Sequence, residues 1–246
     1  NPIEWQIINQ EYGLTPIQYL DSVGALSQRV LVEHGNFIAE NNPFWSGHGD
    51  LKLLSQARAS VSHSPVNLLR RGRKLDSLTR YLDAGVNMCL GADTYPRDLF
   101  MQMRAASYMA KAVTSDYRAG DVATVFRMAT NWAADALGRQ ELGRIRVGAK
   151  ADIISVRLRP RTSLRMGVVR DPVAAVVECA VGDDVDFVMV NGEVRVRNGE
   201  LVGVDVEQLL DEAQADAERY WSTVASWHHA GLDADQAAPY SFSRVS

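Results

Sequence analysis

The chain has 246 residues, 46% of them hydrophobic and 23% charged, with a formal net charge of −4. This composition is typical of a globular chain with a sizeable core, and the acidic balance without a basic block argues against nucleic-acid binding. No apolar run approaches the roughly 18 residues of a membrane span. Because two cysteines make no disulfide framework, a reducing cytoplasm is the predicted location.

The first half of the chain alternates helices with short apolar strands. A helix is predicted over Pro2–Tyr12, and a second begins at Pro16 behind the capping residue Thr15. Strands are predicted over residues 29–33, 59–62 and 86–90, and further helices over residues 50–56, 75–84, 98–113 and 119–136. A strand, loop and helix repeated three times predicts an α/β fold with a parallel sheet, whose strand ends carry the chemistry.

The second half of the chain, after Gly138, is richer in short strands. Strands are predicted over residues 151–156, 173–179, Val185–Val190 and Glu193–Arg197, with a hairpin turn at Asn191-Gly192. A helix is predicted over residues 206–230. The predicted division is therefore residues 1–138, a small sheet domain over 139–204, and a helix with a tail over 205–246.

Three stretches together carry a family resemblance: RVLVEHGNF at 29–37, ASVSHSPVNLLRRG at 59–72 and LDAGVNMCLGADTYPRD at 82–98. They are similar to the sixth, seventh and eighth barrel strands of the amidohydrolase superfamily, in its cytosine deaminase, guanine deaminase and triazine hydrolase branch. Residues 129–156 resemble the segment that links that barrel to its companion β-sandwich, and residues 186–201 resemble the closing hairpin of the sandwich. The resemblance implies the C-terminal part of a (β/α)8 TIM barrel, with strands 6–8 in residues 1–138 and a β-sandwich segment in 139–204.

The resemblance also implies roles for individual residues. Asp93 matches the family's metal ligand, which binds Zn²⁺ or Fe²⁺ and shuttles the proton of the attacking water. His34 matches the histidine that polarises the water or the developing oxyanion. His63 lies where the family has a seventh-strand histidine, and Thr94 and Tyr95 follow Asp93 in a loop that would face the substrate. The predicted substrate is a small molecule.

Departures from the family pattern are as informative as the matches. The first-strand His-x-His pair and the fifth-strand ligand histidine have no counterpart, which leaves Asp93 as the one family metal ligand. A catalytic zinc usually takes three protein ligands. The missing N-terminal half of the barrel, or a partner chain, is therefore expected to complete the site, and the isolated chain is expected to be inactive. The usual Pro-x-Ser-Asn is reduced to Pro65-Val66-Asn67, which puts substrate contacts there in doubt.

Other polar residues have plainer explanations. His48 is interpreted as a loop residue rather than part of the site, and His228 and His229 as surface residues near a helix end. The basic run of Arg70, Arg71, Arg73 and Lys74 is interpreted as a solvated face, with an anionic substrate group as the alternative.

Three functions are compatible with these residues. The leading prediction is deamination of a purine, pterin, pyrimidine or triazine-like ring. The second is an amidase or imidase that acts on a non-aromatic amide. The third is a non-catalytic module, in which an open barrel edge drives assembly with a partner or a homo-oligomer.

Overall fold

The computed structural model describes residues 2–41, 49–159 and 164–242. The chain divides into two compact units, Asn1–Gly199 and Glu200–Ser246. Within the described ranges, no helix is both long enough and apolar enough to cross a membrane.

The first unit begins with alternating helices and short strands. In chain order these are α1 (Pro2–Tyr12), α2 (Pro16–Ser22), β1 (Leu31–Glu33), α3 (Asp50–Ala57), β2 (Ser60–His63), α4 (Pro65–Arg70), α5 (Leu78–Asp83), β3 (Asn87–Leu90), α6 (Leu99–Thr114), α7 (Val122–Ala129) and α8 (Asn131–Ala136). The unit continues with β4 (Ile153–Val156), α9 (Pro172–Cys179), β5 (Val185–Val190) and β6 (Glu193–Arg197). Short 3₁₀ turns occupy Ala39–Asn41 and Gly182–Asp184.

Strands β1, β2 and β3 form a parallel sheet in that order, as the repeated strand, loop and helix units predict. The register pairs Val61 with Val32 on one side and with Met88 on the other. Val61 and Met88 are fully buried, in the same apolar cluster as Leu54 of α3 and Tyr81 of α5. Burial of each such side chain contributes about 1.5–3 kcal/mol. Among the described residues, no further strand pairs with either edge of this sheet.

The second half of the first unit contains an antiparallel sheet in which β5 lies between β4 and β6. The predicted hairpin is present between β5 and β6. Asn191 and Gly192 have φ angles of 50° and 84°, and positive φ at both central residues is what a type I′ turn requires.

The prediction of a strand over residues 173–179 is wrong, because Pro172–Cys179 is the helix α9. Asp171 caps it by accepting hydrogen bonds from the backbone N–H groups of Val173 and Ala174 at 2.9 and 3.2 Å. Pro172, which has no N–H, occupies the first turn, where none is needed. An apolar, β-branched run resembles a buried strand, but the preceding Asp-Pro is a helix start signal.

One predicted helix of the first unit is divided in the structure, and one observed helix was not predicted. The helix predicted over residues 119–136 is divided into α7 and α8 at Thr130, whose φ and ψ angles are −126° and −101°. The Thr130 hydroxyl donates to the carbonyl of Phe126 at 2.8 Å. Helix α4 was not predicted at all. It begins with Pro65 in its first turn, and the backbone N–H of Val66 donates to the buried Gln102 side chain at 3.1 Å.

The second unit contains the short strand β7 (Glu200–Leu201) and the helices α10 (Val206–Ser222), α11 (Val224–Trp227) and α12 (Ala234–Ala237). The single helix predicted over residues 206–230 is therefore interrupted at Thr223. Asp205 caps α10 by accepting from the backbone N–H of Gln208 at 3.0 Å. No residue of α10 is buried.

Candidate active site

His34 and Asp93 meet where the parallel strands end. His34 directly follows β1, and Asp93 lies three residues beyond the last residue of β3. The backbone N–H of His34 donates to the Ser62 carbonyl at 2.8 Å, and that of Gly91 donates to the His63 carbonyl at 2.9 Å, so the ladder continues past the strand ends. The His34 Nε2 atom lies 3.5 Å from Asp93 Oδ2, with both side chains about a quarter exposed.

The backbone at both residues is left-handed, with φ of 63° at His34 and 57° at Asp93. Only a few per cent of non-glycine residues adopt this region, and functional sites are enriched in such conformations. Each strand therefore ends in a sharp turn that directs its side chain toward the other.

The turn after His34 is held by close packing. Gly35 has a φ of 60°, and a Cβ atom there would lie 2.6 Å from Val61 Cγ1. The Tyr81 hydroxyl donates to the Gly35 carbonyl and accepts from Asn41 Nδ2 at 2.8 Å. Burial raises the pKa of Tyr81, so its hydroxyl stays protonated and remains a donor. This packing fixes the backbone that presents His34.

Glu33 joins His34 and Asp93 in a compact group. Its Oε1 atom lies 3.5 Å from His34 Nε2, and one ligand atom from each of the three residues lies within 4.8 Å of the others. A carboxylate ligand such as that of Asp93 suits Zn²⁺ or Fe²⁺. The residues present therefore fit a divalent cation. Sequence reasoning missed Glu33, although the residue before a strand-end histidine lies next to the same sheet edge.

Asn67 contacts Asp93 directly. Its Nδ2 atom donates to Asp93 Oδ2, and Arg71 Nε donates to Asn67 Oδ1 at 3.1 Å. Asn67 is buried. The sequence marked this segment only as a departure from the family pattern, and nothing in the spacing predicts which strand end Asn67 contacts.

His63 lies at the end of β2 and is 1% exposed. Its Nδ1 atom has no hydrogen-bond partner among the described residues. Burial, with a smaller contribution from His34, lowers the pKa of His63 to about 3. The ring is therefore neutral near neutral pH. A direct substrate contact through His63 stays a prediction.

Tyr95 is held at the rim of this group by Arg70. The guanidinium donates to the Tyr95 carbonyl at 2.7 Å and to its hydroxyl at 2.8 Å, and lies 4.2 Å from the ring centroid. Arg73 lies 5.7 Å from the Phe37 ring. The basic run is therefore exposed but makes specific contacts, which the interpretation as a merely solvated face did not include.

The remaining predicted residues are less informative. Thr94 lies half-buried between Asp93 and Tyr95. His48 lies outside the described residues. His228 and His229 belong to the second unit, where their rings lie 4.6 Å apart.

A cavity of about 550 Å³ opens beside the site. Its lining includes Glu33, His34 and Asn67 together with the apolar rings of Trp5 and Phe37. Its volume lies in the range of small-molecule sites, about 300–1,000 Å³. Its lining therefore combines polar and apolar side chains.

Comparison with known proteins places this geometry in context. Residues 5–195 match the amidohydrolase family. The 5-methylthioadenosine/S-adenosylhomocysteine deaminase of Pyrococcus furiosus is 33% identical over 213 residues, which cover 85% of this chain and 48% of that protein. The 5'-deoxyadenosine deaminase of Methanopyrus kandleri is 27% identical over 220 residues, which cover 88% of this chain and 48% of that protein.

Solved structures of a deaminase and a chlorohydrolase superpose on this chain. A zinc-bound adenosine deaminase from Xanthomonas campestris superposes with a TM-score of 0.79 at 27% identity, over 88% of this chain and 48% of that one. The zinc complex of atrazine chlorohydrolase from Arthrobacter aurescens gives a TM-score of 0.75 at 26% identity, over 87% and 46%. The chain therefore spans about half the length of the relatives that it matches.

Proposed function

Because the chain belongs to the amidohydrolase family, we propose that the full protein is a metal-dependent hydrolase that removes an amino group from a heteroaromatic ring. The observation that carries this proposal is the approach of His34 Nε2 to within 3.5 Å of Asp93 Oδ2 at the open ends of parallel strands. The deaminases of 5-methylthioadenosine, S-adenosylhomocysteine and 5'-deoxyadenosine among its relatives favour a 6-aminopurine nucleoside within the wider class of purines, pterins, pyrimidines and triazines.

The chemistry divides between two side chains of this chain. A bound Zn²⁺ or Fe²⁺, with Asp93 as one ligand, would lower the pKa of water to about 7 and so supply a nucleophile at neutral pH. Asp93 accepts the proton of the attacking water while the water oxygen bonds to the ring carbon. His34 hydrogen-bonds to that oxygen and stabilises the charge that develops there. Asp93 then gives its proton to the amine, the C–N bond breaks and ammonia leaves.

The fold proposed for the full protein is a (β/α)8 barrel with a β-sandwich. Strands β1, β2 and β3 would be its sixth, seventh and eighth strands, within residues 1–138, and residues 139–204 would belong to the sandwich. The part of the relatives that this chain does not cover would supply the other strands and metal ligands. Within the described ranges, neither edge of the three-stranded sheet pairs with another strand. This supports the proposal, since a closed barrel leaves no edge unpaired.

Substrate contacts are proposed for Thr94 and Tyr95, which follow Asp93 at the rim, and for His63. The exposed ring of Tyr95 offers a stacking surface for a planar base. His63 is buried beside His34 and would act at most on the part of the substrate that penetrates deepest.

The test is a panel of 6-aminopurine nucleosides incubated with the purified full protein and zinc or iron, with ammonia release as the readout. Asp93→Ala should lose most activity and much of the metal. His34→Ala should lose about a hundredfold or more in rate while metal stays bound. Tyr117→Phe, at an exposed position away from the site, is the matched control. Normal turnover by Asp93→Ala would refute the proposal.

A second candidate is hydrolysis of a substituted triazine, favoured by the likeness to atrazine chlorohydrolase. Adding triazines to the same panel separates the two candidates, because the protein should turn over only one of the two substrate classes. For that class, His34→Ala should lower the rate by a large factor. If the protein is an amidase, neither substrate class should be turned over. The same result is expected if it is a module that only assembles with a partner or into a homo-oligomer.

A further inference from the structure

Among the described residues, the hydrogen bond and the close polar contact of the Asp93 carboxylate both fall on one of its two oxygens. Asn67 Nδ2 donates to Oδ2, and His34 Nε2 lies 3.5 Å from that same oxygen. Both contacts therefore restrain rotation of the carboxylate, and neither falls on Oδ1.

The orientation of the Asn67 amide follows from chemistry. An arginine side chain can only donate hydrogen bonds, so the atom that faces Arg71 Nε at 3.1 Å must be the amide oxygen. The amide nitrogen is then the group that faces Asp93. Because an amide presents one acceptor and one donor side, the Arg71 contact selects the orientation in which Asn67 donates to the carboxylate.

Helix α4, which carries Asn67, is held in place by a contact other than the one with Asp93. Asn67 lies in α4, and the backbone N–H of Val66 donates to the side chain of Gln102, which is fully buried on α6. Asn67 itself is 5% exposed, so water competes little for its hydrogen bonds.

We propose that Asn67 is a positioning residue for Asp93, oriented in turn by Arg71. This relay restrains rotation of the carboxylate, so that Asp93 would present a fixed orientation to a bound cation. The proposal rests on the proposed function, since it takes Asp93 to be a metal ligand. Groups that orient a metal ligand typically contribute about tenfold to a hundredfold in metal affinity or activity.

The experiment measures Zn²⁺ affinity of the full protein by competition with a chromophoric chelator, and kcat and KM separately on its substrate. Asn67→Ala should weaken Zn²⁺ binding and lower kcat, each by about tenfold to a hundredfold, with little change in KM. If the contact between Asn67 and Asp93 only stabilised the position of α4, Asn67→Ala would unfold at a lower urea concentration and its Zn²⁺ affinity would be unchanged. That result would overturn the proposal.

Two Arg71 variants keep the test decisive if Asn67→Ala folds poorly, because Arg71 is exposed. Arg71→Met removes the donor that orients the amide and should weaken Zn²⁺ binding severalfold, whereas Arg71→Lys keeps a donor and should restore most of it. Equal affinities in the two variants would overturn the relay.

Asp93→Ala separates this proposal from the proposed function. If Asp93→Ala loses zinc and turnover while the Asn67 and Arg71 variants keep both, only the relay is overturned. If Asp93→Ala itself keeps both, the assignment of Asp93 is wrong and the relay falls with it.

Discussion

Gly35, directly after His34, is the position where an added methyl group should be most costly. In Gly35→Ala the new Cβ would lie 2.6 Å from Cγ1 of Val61, which is fully buried on the central strand. A β-branched side chain in a strand has little freedom to move away. The residue also has a φ of 60°, a region in which alanine is strained.

The expected loss combines two effects. Left-handed backbone costs a non-glycine residue about 1–2 kcal/mol. Overpacking a filled core costs about 1–3 kcal/mol more. Gly35→Ala should therefore lower the free energy of unfolding by about 2–5 kcal/mol, a large part of the stability of a typical domain.

Urea unfolding followed by tryptophan fluorescence measures this loss, and two further variants separate its parts. Gly13 has a φ of 66° with no atom within 4 Å of an added Cβ, so Gly13→Ala should show the backbone cost alone. Val61→Ala removes the clashing methyl groups, so Gly35→Ala should cost less in that background. A loss for Gly35→Ala no larger than for Gly13→Ala would refute the packing argument.

Three further predictions concern the same region. Tyr81→Phe leaves the Gly35 carbonyl and the Asn41 amide without their buried partner and should cost about 1–3 kcal/mol in urea unfolding, while the exposed Tyr117→Phe should cost nothing measurable. The pKa of His63 falls from 6.5 when unfolded to about 3 when folded. The unfolded state then binds the extra proton, and stability is lost as pH falls below 6.5. Between about pH 7.5 and pH 5 the wild type should lose about 2 kcal/mol more than His63→Leu, and equal losses would contradict this burial. In a double-mutant cycle, Arg70→Ala and Tyr95→Ala should show a coupling of about 0.5–1 kcal/mol in the free energy of unfolding. A coupling near zero would mean that the contact between Arg70 and Tyr95 is absent in solution.

The sequence was most informative where local chemistry is strong. Thr15 and Gln18 form the reciprocal capping box that begins α2, and Asn191-Gly192 turns the predicted hairpin. The α/β class followed from the alternation of strands and helices. The wrong prediction over residues 173–179 shows the limit, since buried helices and strands share apolar composition and only the short cap distinguishes them.

The candidate site was predictable in part. His34 and Asp93 were named from the family resemblance, and both follow parallel strands, whose ends share one edge of a sheet. Their catalytic roles stay predictions. The contact between Asn67 and Asp93 could not be predicted, because it depends on how helix α4 lies across that edge. Glu33 was overlooked, and the contacts of Arg70 and Arg71 required side-chain directions that spacing does not encode.

The left-handed backbone at His34 and Asp93 implies a trade-off between durability and chemistry. Both positions hold side chains for which this region costs up to about 1–2 kcal/mol, whereas glycine would adopt it freely. Selection for heat resistance alone, with no demand for turnover, should therefore drive these two positions toward glycine or asparagine. Variants selected for turnover should instead keep histidine and aspartate at these positions. That difference between the two selections would indicate that the two residues are kept for function.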